Sequence, residues 1–151
     1  MTSGPDLVSL LPHRPPMLQL EEARKSGERE LLAYQTIPAE NVFLAGHFPG
    51  LPLWPGVLLV EAMAQATAAY LLESRRGLQA DEIPVLGAVE CRFLHPVFPG
   101  ERICYRAELI RQVGELGLFS VTALRDSVVV ARGRISAGLT LRSALGSAST
   151  S

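Results

Sequence analysis

Apolar residues run almost without interruption from position 57 to position 72 and leave no polar stripe on any face of a helix. Pro55 and Gly56 precede the run, where missing or unpaired backbone N–H groups are tolerated, and residues 75–77 (RRG) suit a helix end. We therefore predict one long helix from Gly56 to about Ser74. A helix that is apolar on all sides needs cover on all sides.

Beyond position 100, apolar and polar residues alternate, which is typical of half-buried strands. The inward-facing series are Ile103, Tyr105, Ala107 and Leu109, then Phe119, Val121 and Ala123, then Val129, Ala131, Ile135, Ala137 and Leu139. Turn signals fall at residues 99–100, near Gly114 and at residues 126–127. Before the helix, residues 17–24 and 29–37 predict a β-hairpin around residues 26–28.

These elements predict an α+β fold in which a curved antiparallel sheet wraps around one long central apolar helix. With 151 residues, 48% of them hydrophobic, the chain suffices for one domain and not for two. We assign residues 1–142 to this domain and expect the small-polar tail 143–151 to be disordered. Asp6 is expected to cap a short helical turn that runs to Leu11, and the Gly/Pro-rich residues 38–55 form a long loop of functional type.

A net charge of −1 gives no general attraction to nucleic acid or to an anionic membrane. Cys91 and Cys104 lie outside any metal-type cluster, and the three histidines lack spaced partners, so we expect reduced thiols and no metal site. No signal peptide is apparent at the start of the chain, and the apolar run is shorter than the roughly 20 residues that span a bilayer. We expect a soluble, cytoplasmic protein.

Two residues carry the candidate chemistry. His47 lies in a stiff Gly/Pro segment, residues 46–50 (GHFPG), and a histidine titrates near neutrality, so it can act as a general base. By itself it could equally be a turn residue. Glu61 lies on the apolar helix, where a carboxylate is costly unless it is paired or protonated. A functional role explains Glu61 better than a solvated surface position does.

The chain resembles the (3R)-3-hydroxyacyl-acyl-carrier-protein dehydratases of the hotdog fold from about residue 10 to residue 139. The matching segments are residues 11–16 (LPHRPP), 46–50 (GHFPG), 55–62 (PGVLLVEA), 64–65 (AQ), 92–93 (RF) and 96–100 (PVFPG). The combination of the His47 loop with the Glu61 helix is specific, whereas Pro-Gly pairs alone are weak signals.

The resemblance implies dehydration of a 3-hydroxyacyl thioester to the trans-2-enoyl thioester, in fatty-acid or polyketide-like synthesis, with no metal or organic cofactor. It implies His47 as the general base, Glu61 as the general acid, and the Gly56 backbone N–H as a donor to the thioester carbonyl. The implied partners are an acyl carrier protein bearing a 3-hydroxyacyl phosphopantetheine and a second copy of the chain. A trimer of dimers is common in the family. Glutamate rather than aspartate at position 61 indicates the branch that lacks isomerase activity.

Gln65 lies one turn after Glu61 on the same face and is a candidate for orienting its carboxyl group, with helix packing as an equal alternative. Phe48, Trp54 and Phe93 are candidates for lining the acyl tunnel. The chain departs from the family at Leu51, where arginine is usual, at Trp54, at Glu21, and at residues 94–95 (LH), where two arginines are usual. These departures leave the carrier and the acyl length open.

Two alternatives to the dehydratase remain at this stage. A hotdog thioesterase would hydrolyse the acyl thioester with a carboxylate-activated water, although thioesterases of this fold do not characteristically carry the His47 and Glu61 pair. A non-catalytic acyl-binding subunit would keep the fold without turnover.

Overall fold

A computed structural model describes residues 6–40, 44, 50–75 and 81–148 of the chain. A short 3-10 turn at Val8–Leu10 precedes the main elements. These are β1 (Glu22–Gly27), β2 (Glu30–Thr36), α1 (Gly56–Ser74), β3 (Glu82–Phe93), β4 (Arg102–Val113), β5 (Leu116–Arg125), β6 (Val128–Leu141) and α2 (Arg142–Ala148). The predicted main helix is confirmed, with both ends where the flanking residues place them.

The six strands form one sheet in the order β1-β2-β4-β5-β6-β3, and every neighbouring pair is antiparallel. Helix α1 contacts all six strands, which requires the sheet to curve around it. Its buried residues form one core with the inward side chains Ile103, Tyr105, Ala107, Phe119 and Val121. The predicted α+β class, with an antiparallel sheet around one long helix, is confirmed.

The predicted turns at residues 99–100, 114 and 126–127 are present. Gly100, Gly114 and Asp126 each adopt a positive φ there, of 85°, 60° and 55°. The left-handed region favours glycine and tolerates aspartate, which explains why these residue types end the strands. Asp6 accepts a hydrogen bond from the Val8 N–H (3.1 Å) at the start of the first turn, although the N-cap residue of this turn is Leu7 and not Asp6.

Three details differ from the sequence-based expectations. The hairpin begins at Glu22 rather than at residue 17, because residues 17–19 turn toward α1 instead of pairing with β2. In β6 the side chain at position 130 is fully buried and Val129 is only partly covered, because a bulge between Ala123 and Leu124 shifts the register. The tail expected to lack regular structure forms the short helix α2 through Ala148, whereas residues 149–151 lie outside the described part.

Strand β3 was not predicted, because its alternation of apolar and polar residues is confined to residues 89–93 and residues 83–88 (IPVLGA) contain no polar residue. It forms one edge of the sheet, pairs only with β6, and leaves Leu86, Val89 and Phe93 between 40% and 52% exposed. Long apolar edge strands are aggregation-prone unless they are covered. The described residues therefore leave an apolar surface exposed along this edge of the sheet.

Candidate active site

Helix α1 is mostly apolar, and besides Thr67 its polar residues near the middle are Glu61 and Gln65. They are four residues apart, so they lie on the same face. The Gln65 Nε2 atom donates a hydrogen bond of 2.8 Å to Oε2 of Glu61. Gln65 is 1% exposed, whereas the Glu61 side chain keeps 31% of its surface accessible. The pair therefore has a buried, fixed amide and a carboxylate that a substrate can reach.

The amide of Gln65 is fixed by backbone groups of residues 17–19. Its Oε1 accepts a hydrogen bond from the Gln19 N–H (2.9 Å), and its Nε2 donates to the Met17 carbonyl (2.8 Å). A backbone N–H is only a donor and a carbonyl is only an acceptor, so these contacts permit one orientation of the amide. The second N–H of Nε2 is thereby directed at Glu61. This geometry favours the orienting role predicted for Gln65 over simple packing.

His13 also faces the Glu61 carboxylate. Its Nε2 lies 3.8 Å from Oε2 of Glu61, too far for a direct hydrogen bond. Its Nδ1 is buried and has no hydrogen-bond partner among the described residues. Burial lowers the pKa of His13 from its usual value of 6.5, the Glu61 carboxylate opposes that shift, and Arg14 adds to it. Burial dominates, so the neutral imidazole is the favoured form beside Glu61.

A cavity of about 170 Å³ opens between α1 and the β3 end of the sheet. It is lined by His13, Glu61, Ala64, Gln65, Ala68, Pro84, Val85, Leu86 and Ala137. Its polar groups are the three side chains just described, and the rest of the wall is small and apolar. Such a cavity suits a ligand with one reactive polar group and an apolar remainder.

A second cavity, of about 490 Å³, lies at the N-terminus of α1. It is lined by Leu53, Trp54, Gly56, Val57, Leu59, Phe93, Leu94, His95, Pro96 and Val97. No side chain of the described residues caps this helix end. The first backbone N–H groups of a helix lack partners within the helix and lie at the positive end of its dipole. The Gly56 N–H can therefore receive an oxygen on which negative charge develops.

The structure places the predicted site residues in two groups. Glu61 and Gln65 line the smaller cavity, whereas Gly56, Trp54 and Phe93 line the larger one. Trp54 is 2% exposed and Phe93 is 52% exposed. A Cβ at position 56 would lie 2.9 Å from the ring of Phe93, so glycine lets this ring approach the helix end. His47 and Phe48 lie outside the described residues.

The positions at which the chain departs from the resembled family are also visible. Leu51 is 51% exposed and Leu94 is 44% exposed. Glu21 accepts a hydrogen bond from the Thr36 N–H and therefore ties the segment before β1 to the end of β2. Of these departures, Trp54, Leu94 and His95 line the larger cavity, so no arginine stands at these positions of its wall.

No catalytic role for His13 follows from the sequence alone. It belongs to the 11–16 segment, which carries part of the resemblance, and its spacing from the other histidines gives no metal site. Its position next to Glu61 depends on a contact across 48 residues of chain. The one sequence feature that points to a role for His13 is a histidine in a Pro-rich turn without partners at metal-ligand spacing.

A single antiparallel sheet curved around one long central helix defines a protein of the hotdog fold. The chain belongs to the FabA-like family, because the model of the FabA-like domain matches residues 11–134. It is 35% identical over 127 residues to the 3-hydroxyacyl-[acyl-carrier-protein] dehydratase FabZ of Yersinia enterocolitica, covering 83% of this chain and 76% of that protein. The FabZ of Yersinia pestis strain Pestoides F is equally identical, with 72% of its length covered.

Solved structures confirm the hotdog fold. The dehydratase heterocomplex ApeI:P of Xenorhabdus doucetiae superposes with a TM-score of 0.77 at 19% identity, covering 98% of this chain and 99% of that one. The fluoroacetyl-CoA thioesterase FlK superposes with a TM-score of 0.65 at 15% identity, covering 80% of this chain and 91% of that one. At these identities the likeness establishes the fold alone, since dehydratases and thioesterases share it.

Proposed function

We propose that the protein is a hydro-lyase that dehydrates 3-hydroxyacyl thioesters carried on an acyl carrier protein. The observation that supports this most directly is Glu61, an accessible carboxylate on an apolar helix whose Oε2 is held by Gln65 at the wall of a cavity. A carboxyl group fixed in this way is suited to general acid catalysis. The curated relatives named above, 35% identical, are named for this reaction.

In the proposed reaction His47 removes a proton from C2 of the substrate, and the C2–H electron pair forms the C2=C3 double bond. The C3–O bond breaks, and Glu61 donates a proton to the leaving hydroxyl, which departs as water. The elimination is redox-neutral and consists of two proton transfers, so acid–base groups are sufficient for it. We therefore propose no metal and no organic cofactor.

The C2 proton is only weakly acidic unless charge on the thioester oxygen is stabilised. We assign this role to the Gly56 backbone N–H at the N-terminus of α1, where an unpaired donor and the helix dipole act together. The larger apolar cavity around it, walled by Trp54 and Phe93, would receive part of the acyl–pantetheine chain. Phe48 is proposed as a further lining residue on the strength of the resemblance.

We propose that the working site is composite and that the protein is a homodimer. In one protomer, Gly56 and Glu61 line two separate cavities, although the reaction requires the carbonyl donor and the acid on one substrate. The exposed apolar edge of β3 borders both cavities and offers a surface for an antiparallel second copy. His47 and Gly56 of one subunit would then meet Glu61 of the other, and a trimer of dimers is a larger assembly of the same unit.

The proposed setting is fatty-acid or polyketide-like synthesis in the cytoplasm. Helix α1 is long and apolar enough by composition to cross a bilayer, but 67% of it is buried inside the fold, which is the behaviour of a core helix. The thioesterase alternative is not favoured, because the thioesterase neighbours share only the fold. A non-catalytic acyl-binding role has no observation in its favour.

Subunit mixing tests the composite site. His47→Ala and Glu61→Ala homodimers should each be nearly inactive on a 3-hydroxyacyl carrier. When the two are unfolded and reassembled together, about half of the dimers are mixed and each mixed dimer has one intact site. Activity should therefore recover to roughly one quarter of wild type.

Each variant refolded alone is the control and should show no recovery. Differently tagged subunits, purified over both tags, verify that mixed dimers have formed. If verified mixed dimers form enoyl product only at the rate of the single variants, the proposal that His47 and Glu61 of one site come from different subunits is wrong.

A further inference from the structure

The buried surroundings of Gln65 contain a polar chain that the proposed chemistry does not use. Gln19, Gln35 and Tyr105 are 6%, 4% and 0% exposed, respectively. The Tyr105 hydroxyl donates to Gln35 Oε1 (2.6 Å), and Gln35 Nε2 donates to Gln19 Oε1 (2.9 Å). Gln19 Nε2 then donates to the Met17 carbonyl (3.0 Å), which is the same oxygen that accepts from Gln65. We call this chain the Gln–Tyr relay.

The direction of every donor in the relay follows from one backbone group. The Met17 carbonyl can only accept, so Nε2 of Gln19 must face it, and Oε1 of Gln19 must therefore face Gln35. Oε1 of Gln35 in turn faces the Tyr105 hydroxyl, which donates. Burial raises the pKa of Tyr105 far above its usual value of 10.0, so this hydroxyl keeps its proton. The relay therefore has one self-consistent arrangement rather than two.

The relay also fixes the backbone that holds Gln65. The Met17 carbonyl has two lone pairs, and the Gln19 and Gln65 side chains use both. Gln65 then has one N–H left, and it points at Oε2 of Glu61 (2.8 Å). Because this N–H can only donate, Oε2 is the accepting oxygen, and the proton of the neutral acid belongs on Oε1. The relay thus determines which oxygen of Glu61 carries the proton that is donated to the substrate.

A purely structural reading is that a satisfied polar network specifies a unique core. That reading does not explain why the relay ends on Glu61, which is the carboxylate of α1 that lines one of the two cavities described above. Tyr70 provides the contrast, because it is on the same helix, 5% exposed, and donates to the Glu28 carbonyl (2.8 Å) without a described connection to Glu61. The described part of the chain therefore holds two buried tyrosine hydroxyls, only one of which is linked to Glu61.

We propose that Gln35 and Tyr105 are positioning residues that hold Gln65, and through it the Glu61 carboxyl, in the orientation for proton transfer. This rests on the proposed function of Glu61 as the general acid. Positioning matters because small displacements of a catalytic group cost up to about 100-fold in rate. A loosened relay leaves substrate binding in place and slows the chemical step.

The test compares Tyr105→Phe with Tyr70→Phe in the full-length protein. Each substitution removes one buried hydroxyl and leaves the ring. We expect Tyr105→Phe to lower kcat about tenfold with KM within about twofold, and Tyr70→Phe to change neither. Gln35→Met is a second relay variant, similar in length and unable to hydrogen-bond, and it should reproduce the effect of Tyr105→Phe.

A spectroscopic readout keeps the test independent of activity. The side-chain NH2 signals of Gln65 in a ¹⁵N spectrum can be assigned by their loss in Gln65→Leu. They should shift in Tyr105→Phe and stay in place in Tyr70→Phe. A relay that only stabilises the core would give equal kcat values in the two tyrosine variants, and that result overturns the proposal.

The proposal is also overturned if kcat falls without a shift of the Gln65 signals, since the effect would then not run through Gln65. A shift without a fall in kcat excludes a positioning role just as firmly. If wild-type protein forms no enoyl product from any 3-hydroxyacyl carrier, the proposed function fails. The NMR comparison still decides whether the relay holds Gln65.

Discussion

The two functional regions of α1 are held in opposite ways. Around Glu61, a backbone clamp and buried side chains determine the orientation of each polar atom. Around Gly56, the helix end has no described side-chain cap, Val57 is 74% exposed, and the cavity is larger and mostly apolar. One helix therefore carries a preorganised carboxylate, Glu61, and, less than two turns away, an unfinished apolar surface at Gly56. The difference teaches that a single protomer fixes the Glu61 carboxylate with its own side chains and backbone but leaves apolar surface exposed at the Gly56 end. Under the proposed function, substrate and a second subunit complete that end.

The largest expected effect comes from the preorganised end. Glu61→Gln keeps an oxygen that can accept from Gln65 and removes the proton donor, so the fold should be retained while kcat falls by about 100-fold or more. The measurement is enoyl-thioester formation under saturating substrate. Glu73→Gln, on the same helix but outside the cavity linings, should stay near wild type. Retention of more than a tenth of the wild-type kcat by Glu61→Gln would falsify its role as the acid.

The unfinished end should show a smaller, selective effect. Trp54→Met replaces a wall residue of the larger cavity with a smaller one and so enlarges the cavity. We expect the variant to change the preference among acyl lengths, while turnover of the best substrate stays within about tenfold of wild type. Reshaping a pocket by a few methylenes is worth about 1–3 kcal/mol. A panel of 3-hydroxyacyl carriers read by mass spectrometry measures the profile.

Phe119→Leu is the matched control, because Phe119 is a fully buried aromatic residue that does not line this cavity. It should lower stability and leave the acyl-length profile unchanged. An unchanged profile in Trp54→Met means that Trp54 serves only the core.

The smallest expected effect concerns His13 and stability. Its folded pKa lies below the unfolded value of 6.5, so at lower pH the unfolded chain binds a proton that the folded chain does not. This contribution is constant above about pH 6.5 and is lost as the pH falls from there toward the folded pKa. Urea unfolding at pH 7.5 and pH 5.5 measures the drop, which should be smaller in His13→Gln.

His95→Gln is the control, because His95 is exposed at the surface and does not line the smaller cavity. Its drop between the two pH values should equal that of wild type. If the free energy of unfolding of His13→Gln also falls as much as that of wild type, the loss of stability at low pH does not come from His13.

Local signals were sufficient for α1 and for the strands from β4 to β6. The start of α1 is set by Pro55 and Gly56, and its i, i+4 geometry already pairs Glu61 with Gln65. Even the inward direction of Tyr105 follows from alternation. These features depend on neighbours within a few residues, which a sequence displays directly.

The features that the sequence did not predict depend on long-range contacts or on breaks in a pattern. The Gln19–Gln65 bond spans 46 residues and the Tyr105–Gln35 bond spans 70, and nothing local marks either pair. Strand β3 is not predicted because its first half, residues 83–88 (IPVLGA), has no polar residue, and a register shift between Leu86 and Ala88 breaks the pattern before the short alternation at residues 89–93. Val129 was predicted to face the core, but Val130 does so instead. A bulge adds one residue to the strand, and this moves the neighbouring side chains to the opposite face of the sheet.

The backbone clamp on Gln65 has a consequence for how this site can drift during evolution. The clamp consists of the Met17 carbonyl and the Gln19 N–H. Every residue has a backbone carbonyl, and every residue except proline has a backbone N–H. Natural variation can therefore replace the side chain at position 17 without disturbing these two bonds, while proline is excluded at position 19, whose side chain also belongs to the Gln–Tyr relay. The role of position 17 thus leaves almost no trace in residue identity, so the Glu61 carboxylate can stay anchored while position 17 diverges.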